Sequence, residues 1–325
     1  MSDQIPGITP AASPDSIKNP KVKKKFGSLH EILRHRDLYL LILPGLIVTI
    51  LFSYVPMYGL QLAFKQYMYN KGIWNSPWVG LDHFRLLFSH PDSVAALKNT
   101  VIISLNMLLW GFPAPIILAL LLNELKNPLF KKVTQSILYL PHFMSWIIIS
   151  GIIFSFFSST TGVVNKLLLS MNRAPFIVIG NPSVFRPLLY ISSIWKEVGW
   201  GTIIYLAAIA GIDSSQYEAS VIDGANRLKQ CLYITIPSLK YAIVTLLILS
   251  VGGLMNSNFD QIFNLMSVST RSVGDVIDTL VYRMGVVGSR YDFTTAVGLF
   301  KQVINCVLLF VTNWIVKLLG EEGFI

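Results

Sequence analysis

Charge is what this sequence has least of. Only 13% of its 325 residues are Asp, Glu, Lys or Arg and 53% are hydrophobic, with a mean hydropathy of +0.58. A water-soluble chain carries about 25% charged and roughly 45–50% apolar residues. Too little polar surface exists here to cover a soluble globule, so the usual prior of ~150 residues per domain does not apply. Cysteine is nearly missing too: Cys231 and Cys306 stand in unrelated contexts, which argues against a disulfide framework or a metal site. No Gly-x4-Gly-Lys-Ser/Thr segment is present to cradle nucleotide phosphates. His30, His35, His83, His90 and His142 form no His-Glu-x-x-His pair, and there is no Gly-x-Ser-x-Gly. These absences remove the parts of an ATPase, a zinc enzyme and an intramembrane protease. The composition points to an integral membrane protein.

What the chain does have is long stretches free of charge. Residues 38–64, 99–123 and 133–165 are three of them; 187–212 is interrupted only by the adjacent Lys196 and Glu197. Residues 241–259 and about 296–319 complete the set, the last with Lys301 and Lys317 near its ends. All exceed the 10–14 residues of a buried helix, and a span needs about 20. None alternates polar and apolar residues as barrel strands do. The expectation is an all-α fold with a transmembrane domain over 38–319. Its six spans lie at about 38–64, 99–123, 136–157, 187–211, 241–263 and 296–319.

The basic excess, 26 Lys+Arg against 17 Asp+Glu, orients these spans. Lys18, Lys21, Lys23, Lys24, Lys25, Arg34 and Arg36 crowd the tail 1–37, immediately before the first span, and basic residues flanking a span mark its cytoplasmic side. Placing that tail inside puts both termini, including the tail 320–325, in the cytoplasm. The basic run is a topology signal with headgroup contacts rather than a nucleic-acid site. Ser28 and Glu31 fit a capping box opening a short interfacial helix, with Phe26, Leu29, Ile32 and Leu33 on its apolar face.

Two exposed regions stand out. The first outer loop, about 65–98, holds Trp74, Trp78 and Phe84. Aromatics there serve either as interface anchors or as hot spots of a docking surface. The cytoplasmic segment 211–240 is heavily punctuated. Asp213, Ser214 or Ser215 can cap a helix through Ile222, Asp223-Gly224 makes a turn, and a second helix is expected to run to about Ile234, stopped before Pro237. Two short helices joined rigidly to two spans form a lever-like knob.

Within the spans, polar side chains are costly unless they face a bundle interior or a cavity. Lys196 and Glu197 point about 100° apart as helix neighbours, so each is expected to need a partner other than the other. An ion pair to a neighbouring helix and a cavity-lining role both fit them. Asn256, Asn258 and Asp260 follow Gly252-Gly253 in the fifth span. They suit interhelical hydrogen bonds or a ligand rich in hydroxyl groups, and Trp195 and Trp200 suit stacking on the apolar faces of ring-shaped ligands. Lys301, Gln302 and Asn305 share one face of the sixth span, with Lys301 expected to snorkel to the outer interface. His142 is expected to be a satisfied interfacial histidine.

The knob carries a resemblance. Glu218-Ala219-Ser220, Asp223-Gly224-Ala225 and Ile234, Ile236 and Pro237 resemble the EAA loop of binding-protein-dependent ABC importer permeases, with Ser220 in place of the usual alanine. Cys231 and Leu232 depart from the bulky aromatic often found there in sugar permeases. The resemblance covers nearly all of the chain after the N-terminal tail. Gly72-Ile-Trp74, 76–81 and Asn99-Thr100 are similar to the first outer loop of the oligosaccharide group. Residues 195–200, and 275–279 with Tyr282-Arg283, are similar to the complex-polysaccharide branch, which includes an alginate importer.

The resemblance implies a type I importer permease in the bacterial cytoplasmic (inner) membrane. Glu218, Ala219, Ser220, Asp223, Gly224, Ala225 and Pro237 would couple it to two separate ATP-binding subunits. ATP and Mg would act on those subunits, with no cofactor bound by this chain. It implies further a second, paralogous permease subunit in a heterodimer, an extracytoplasmic solute-binding protein docking at Trp74, Trp78 and Phe84, and an oligosaccharide cargo. The basic balance adds a preference for acidic uronate cargo such as alginate, although 14 of the 26 basic residues already serve topology. An ion-gradient-driven secondary transporter is the alternative, disfavoured because no internal repeat is evident.

Overall fold

The computed structural model describes residues 36–318 and Gly320. The expected interfacial helix around Ser28 and Glu31 and the tail beyond Gly320 lie outside these. Helix dominates the described residues, and an isolated antiparallel bridge pairs Lys65 with Trp78. Three helices are long and apolar enough to cross a bilayer as they stand: Arg36–Phe64, Pro91–Asn123 and Tyr291–Leu318. Up to six crossings result if each of three bent helix pairs counts as one.

The chain divides between Tyr58 and Gly59 into two units. In the first, α1 (Arg36–Thr49) runs into a π-helical turn at Ile50–Tyr54, and its side chains are exposed and apolar all round, as lipid contact requires.

The second unit holds the rest. After α2 (Asp82–Ser89), α3 (Pro91–Gly111) passes through a helical Phe112 into α4 (Pro113–Asn123). Pro91 and Pro113 each open a helix, where a missing N–H costs nothing. This helix starts at Pro91 rather than 99 because the charge gap marks apolar surface, whereas Asp92 and Lys98 are compatible with helix outside it.

The third expected span, 136–157, is not one straight helix. α5 (Pro128–Tyr139) and the tight turn Leu140–Phe143 meet α6 (Trp146–Phe157) at a 100° bend. Pro141 cannot donate to the ladder, and Ser145, in extended conformation, caps the new helix through the Ile148 N–H at 3.4 Å.

Beyond α7 (Val163–Ser170), α8 (Pro182–Ala210) runs for 29 residues, capped by Asn181 with Pro182 at its first position. It turns by 71° into α9 (Ser214–Ile222). α10 (Arg227–Gln230) continues through a π turn and through Pro237 to Ser238, past the expected stop at about Ile234: proline disfavours helix in the residue before it but does not forbid it, and Ile236 keeps helical angles. It meets α11 (Lys240–Gly252) at 57°.

The fifth expected span, 241–263, is also broken: α11 ends at Gly252 and α12 (Phe259–Leu265) begins six residues after Gly253. Two consecutive glycines weaken the helix, and at Gly252 an added β-carbon would stand 2.8 Å from Leu309 Cδ1. That glycine lets α13 (Tyr291–Leu318) close against α11.

α8 is the spine of the packing. Its Phe185 and Leu189 share a core with Ile103 of α3, Ile149 of α6 and Ile262 of α12. Nearer its C-terminus, Tyr205 and Ile209 pack with Ala119 of α4 and with Leu239.

Candidate functional site

A polar cluster sits halfway along α8. Lys196 is buried, 7% exposed, and its Nζ donates to the His142 carbonyl at 2.6 Å and lies 3.1 Å from Glu197 Oε1. His142 Nδ1 is 2.7 Å from Glu197 Oε2. The imidazole stacks on the Trp200 indole, centroids 4.4 Å apart and planes 2° from parallel, while Phe143 meets both rings edge-on. Lys196 and Glu197 each have the further partner expected of them, in both cases His142, but they also meet each other, which the helix wheel did not allow. The 100° separation describes Cβ directions, and lysine's four-carbon stem bends back far enough to overcome it. The elbow carrying His142 reaches α8 because Gly199 has no side chain: a β-carbon there would overlap the Leu138 carbonyl.

Beside the cluster lies a cavity of about 420 Å³ between α3, α4, α8 and α11, lined by Tyr190, Ser193, Glu197, Trp200, Ser250 and Asn256 among others. Glu197 is the one charged side chain lining it among the described residues. Of the pathway residues expected from the sequence, Glu197, Trp200 and Asn256 meet at this cavity. Lys196 stands behind Glu197, and Trp195 faces a separate apolar cavity with Ile149, Phe157 and Leu188.

The others are placed elsewhere. Asn258 precedes α12, and Asp260 is exposed in its first turn. Lys301 does not snorkel outward: it is 9% exposed and ion-paired with Asp278, a closer partner than headgroups. Asn305 is structural. It accepts the Met255 N–H at 2.9 Å and donates to Asn256 Oδ1 at 3.1 Å, holding the chain where α11 ends. Gln302 is exposed.

The elbow between α8 and α11 is built from local signals. Asp213 Oδ1 accepts the Ser215 N–H at 2.9 Å and opens α9; this hydrogen bond holds its carboxyl below the usual carboxylate range. Gly224, at φ +76°, closes the helix. Its N–H donates to Val221 O at 3.0 Å and that of Ala225 to Ser220 O at 2.9 Å, the paired bonds of a Schellman motif. Asn226 then caps α10.

Two contacts clamp the arms together: Tyr217 Oη with Thr235 Oγ1 at 2.9 Å, and Gln230 Nε2 donating to Ser220 Oγ at 3.0 Å. Ser220, where alanine is usual in the resembled loop, thereby has a use. Glu218, Ala219, Asp223, Gly224 and Pro237 are exposed and Ala225 half-buried. Around them Ile222 (86% exposed), Val221, Leu228 and Tyr233 present apolar surface to solvent. Such a patch marks a contact surface.

In the first outer loop Trp74 and Trp78 are exposed, whereas Phe84 is half-buried on Phe64, 5.6 Å away, and so belongs to the packing. Lys65, 3% exposed, organises this loop. Its Nζ donates to the Ile73 and Trp74 carbonyls, each at 3.0 Å, and lies 4.8 Å from the Trp78 ring centroid.

Residues noted in the sequence only for their resemblance, together with Arg186, which was not noted, hold the segment after α12. Asp275 takes a bidentate bond from Arg283, 3.0 and 2.7 Å, and one from Thr279 Oγ1 at 2.7 Å. Asn99 donates to the Ser272 and Asp275 carbonyls and accepts from Arg186 at 2.9 Å. A polar residue at the head of an apolar run, as Asn99 is, was the available signal.

With this geometry in place, comparison with known proteins is informative. Residues 111–321 match the family described as binding-protein-dependent transport system inner membrane component. Protein LplB of Bacillus subtilis (strain 168) is 44% identical over 290 residues, 89% of this chain and 91% of that one. The polygalacturonan/rhamnogalacturonan transport system permease protein YteP of the same organism is 42% identical over 314 residues, 96% and 97%. Among solved structures, one chain of a bacterial alginate ABC transporter in complex with alginate pentasaccharide-bound periplasmic protein superposes with a TM-score of 0.83. It is 39% identical, covering 90% of this chain and 98% of that one.

Proposed function

The chain belongs to the binding-protein-dependent transport system inner membrane component family, and from that premise we propose that its cavity is one wall of an import pathway for oligosaccharides. It is a sugar importer permease with the type I fold, a transport subunit and not an enzyme. The secondary-transporter alternative is not favoured. The observation that carries the pathway reading is the meeting of Glu197, Trp200 and Asn256 at one cavity with Tyr190, Ser193 and Ser250. An aromatic face with surrounding hydroxyl, amide and carboxylate groups matches a sugar, which offers apolar C–H faces and hydroxyl donors.

In this reading the elbow at 211–240 docks on one of two ATP-binding subunits through Glu218, Ala219, Ser220, Asp223, Gly224, Ala225 and Pro237. A paralogous permease completes the pathway, and a solute-binding protein delivers cargo to the loop bearing Trp74 and Trp78. The sequence relation to a polygalacturonan/rhamnogalacturonan permease and the structural relation to an alginate transporter support an acidic uronate oligosaccharide as cargo. ATP and Mg act on the partner subunits, which drive a population shift between inward and outward openings.

Co-expression and reconstitution test this. With its partner subunits and binding protein in vesicles, the chain should support ATP-dependent uptake of alginate or galacturonan oligosaccharides, and Trp200→Ala or Asn256→Ala should slow it. Purification without any ATP-binding partner, or uptake driven by an ion gradient alone, would refute the reading.

A further inference from the structure

We propose that His142 is the positioning residue that turns Glu197 and Trp200 into a preformed subsite for the uncharged face of one sugar ring, with the carboxylate accepting two adjacent hydroxyls. This rests on the cavity being the cargo pathway, as proposed above. An ionised carboxylate offers about four acceptor sites. Lys196 uses one on Oε1 and His142 one on Oε2. One site remains on each oxygen, so the carboxylate can accept two further donors, as a vicinal diol supplies.

His142 also covers one face of the Trp200 indole at 4.4 Å, within the range of aromatic stacking. Trp200 lines the cavity and is 44% exposed, so its open surface is available for a sugar ring. Glu197 and Trp200 are three residues apart on α8 and therefore share a face. A single imidazole thus fixes both the hydroxyl acceptor and the stacking surface before cargo arrives, which lowers the entropic cost of binding.

The electrostatics restrict what this wall can read. Lys196 and Glu197 cancel as a pair, and no cationic side chain lines the cavity among the described residues. The subsite therefore recognises hydroxyl geometry rather than charge. The carboxylate of a uronate ring must point away from it, toward a wall this chain does not supply. His142 itself is held by the Lys196 bond to its carbonyl and by the seat that Gly199 provides for the elbow.

The test uses the complete importer in vesicles, at saturating binding protein. The probes are a galacturonan oligosaccharide and the same oligosaccharide methylated on one of two adjacent ring hydroxyls. Uptake of the free probe should exceed that of the methylated one by about tenfold, the value of one hydrogen bond to a charged group. The ratio is taken within each variant, so losses from folding or expression cancel.

Both Glu197→Gln and His142→Phe, which keeps a stacking ring without a donor, should bring the ratio near unity, and the double variant should go no further. His142→Asn, whose Nδ2 takes the place of the imidazole Nδ1, should restore part of it. If His142→Phe does not assemble, His142→Leu, which carries no donor, takes its place. A wild-type ratio in the His142 variants beside a lost ratio in Glu197→Gln overturns the positioning role and leaves the pathway intact. If Glu197→Gln and Trp200→Ala change neither ratio nor rate, the pathway reading falls and this proposal with it.

Discussion

Gly224→Ala isolates the conformational demand of the elbow from its contacts. The residue sits at φ +76°, and an added β-carbon there meets nothing within 4 Å, so within this chain no clash accompanies the substitution. What remains is the left-handed backbone, which costs an L-residue roughly 1–2 kcal/mol. That strain falls on the turn held by the Gly224–Val221 and Ala225–Ser220 bonds. If all of it is expressed, the population of the closed turn relative to open forms drops about 5–30-fold. The assay is ATP-dependent uptake in vesicles containing the partner subunits, with complex assembly followed in parallel. Gly224→Asn supplies the control, because asparagine visits the left-handed region more readily than alanine while carrying the same β-carbon. Uptake should fall in the order Gly, Asn, Ala. If Asn is as damaging as Ala or more so, the cause is contact with the partner rather than backbone strain. An Ala variant that transports like the wild type would refute the turn's role altogether.

Three further outcomes follow from the packing. Gly199→Ala should lower the thermal midpoint of the purified complex, the overpacking against Leu138 costing about 1–3 kcal/mol. Gly298→Ala, in a helix interior with nothing within 4 Å, should be neutral or stabilising by about 0.5–1 kcal/mol. Lys301→Met should destabilise by about 3–5 kcal/mol, since it strands the Asp278 carboxylate; adding Asp278→Leu should recover most of that in the same melting assay. Asp213 contributes to the start of α9 with a folded-state pKa depressed by the Ser215 bond. Its contribution is present above the unfolded value, near 4, and is lost as pH falls through the lower folded value. Hydrogen exchange at the first turn of α9 should show that loss on acidification, and Asp213→Asn, which keeps a capping oxygen, should remove the pH dependence.

What the sequence made legible was local. Asp213 and Gly224 act on backbone within a few residues of themselves, so the first arm of the elbow and its turn followed from the sequence. The site beside α8 was not legible in the same way. Glu197 and Trp200 were on the list for their polarity and aromaticity. The residue that joins them, His142, stands 55 residues away from Glu197 in sequence and carries no marker of its own. Helix-wheel reasoning separated Lys196 from Glu197 because it tracks the first side-chain bond and not the reach of a long chain. The break at Ser145 was hidden for a related reason: apolar runs record contact with lipid or core and are blind to a bend within them. The segment 264–295 read as loop, yet Val276, Ile277 and Leu280 are fully buried, held by Asn99 and Arg186 from helices far away in sequence.

These long-range ties converge on α8, and that convergence constrains how an importer of this build can move. At about 1.5 Å per residue its 29 residues make a rod of roughly 43 Å. Arg186 near the N-terminal end bonds the Val273 carbonyl and Asn99; Glu197 and Trp200 line the cavity at the middle. At the C-terminal end Gly211 and Ile212 bond back to Ala208 and Ile209 before α9 begins, and Tyr205 and Ile209 share a core with Leu239 on the returning arm. No flexible linker separates the elbow from the rod, and the clamps between Tyr217 and Thr235 and between Ser220 and Gln230 brace the two arms of the elbow against each other. A displacement imposed on α9 is therefore not absorbed locally. It must tilt α8, and a tilt carries Glu197 and Trp200 relative to Ser250 and Asn256 across the cavity. The proposed cargo wall and the proposed coupling elbow are in this sense two stations on one helix.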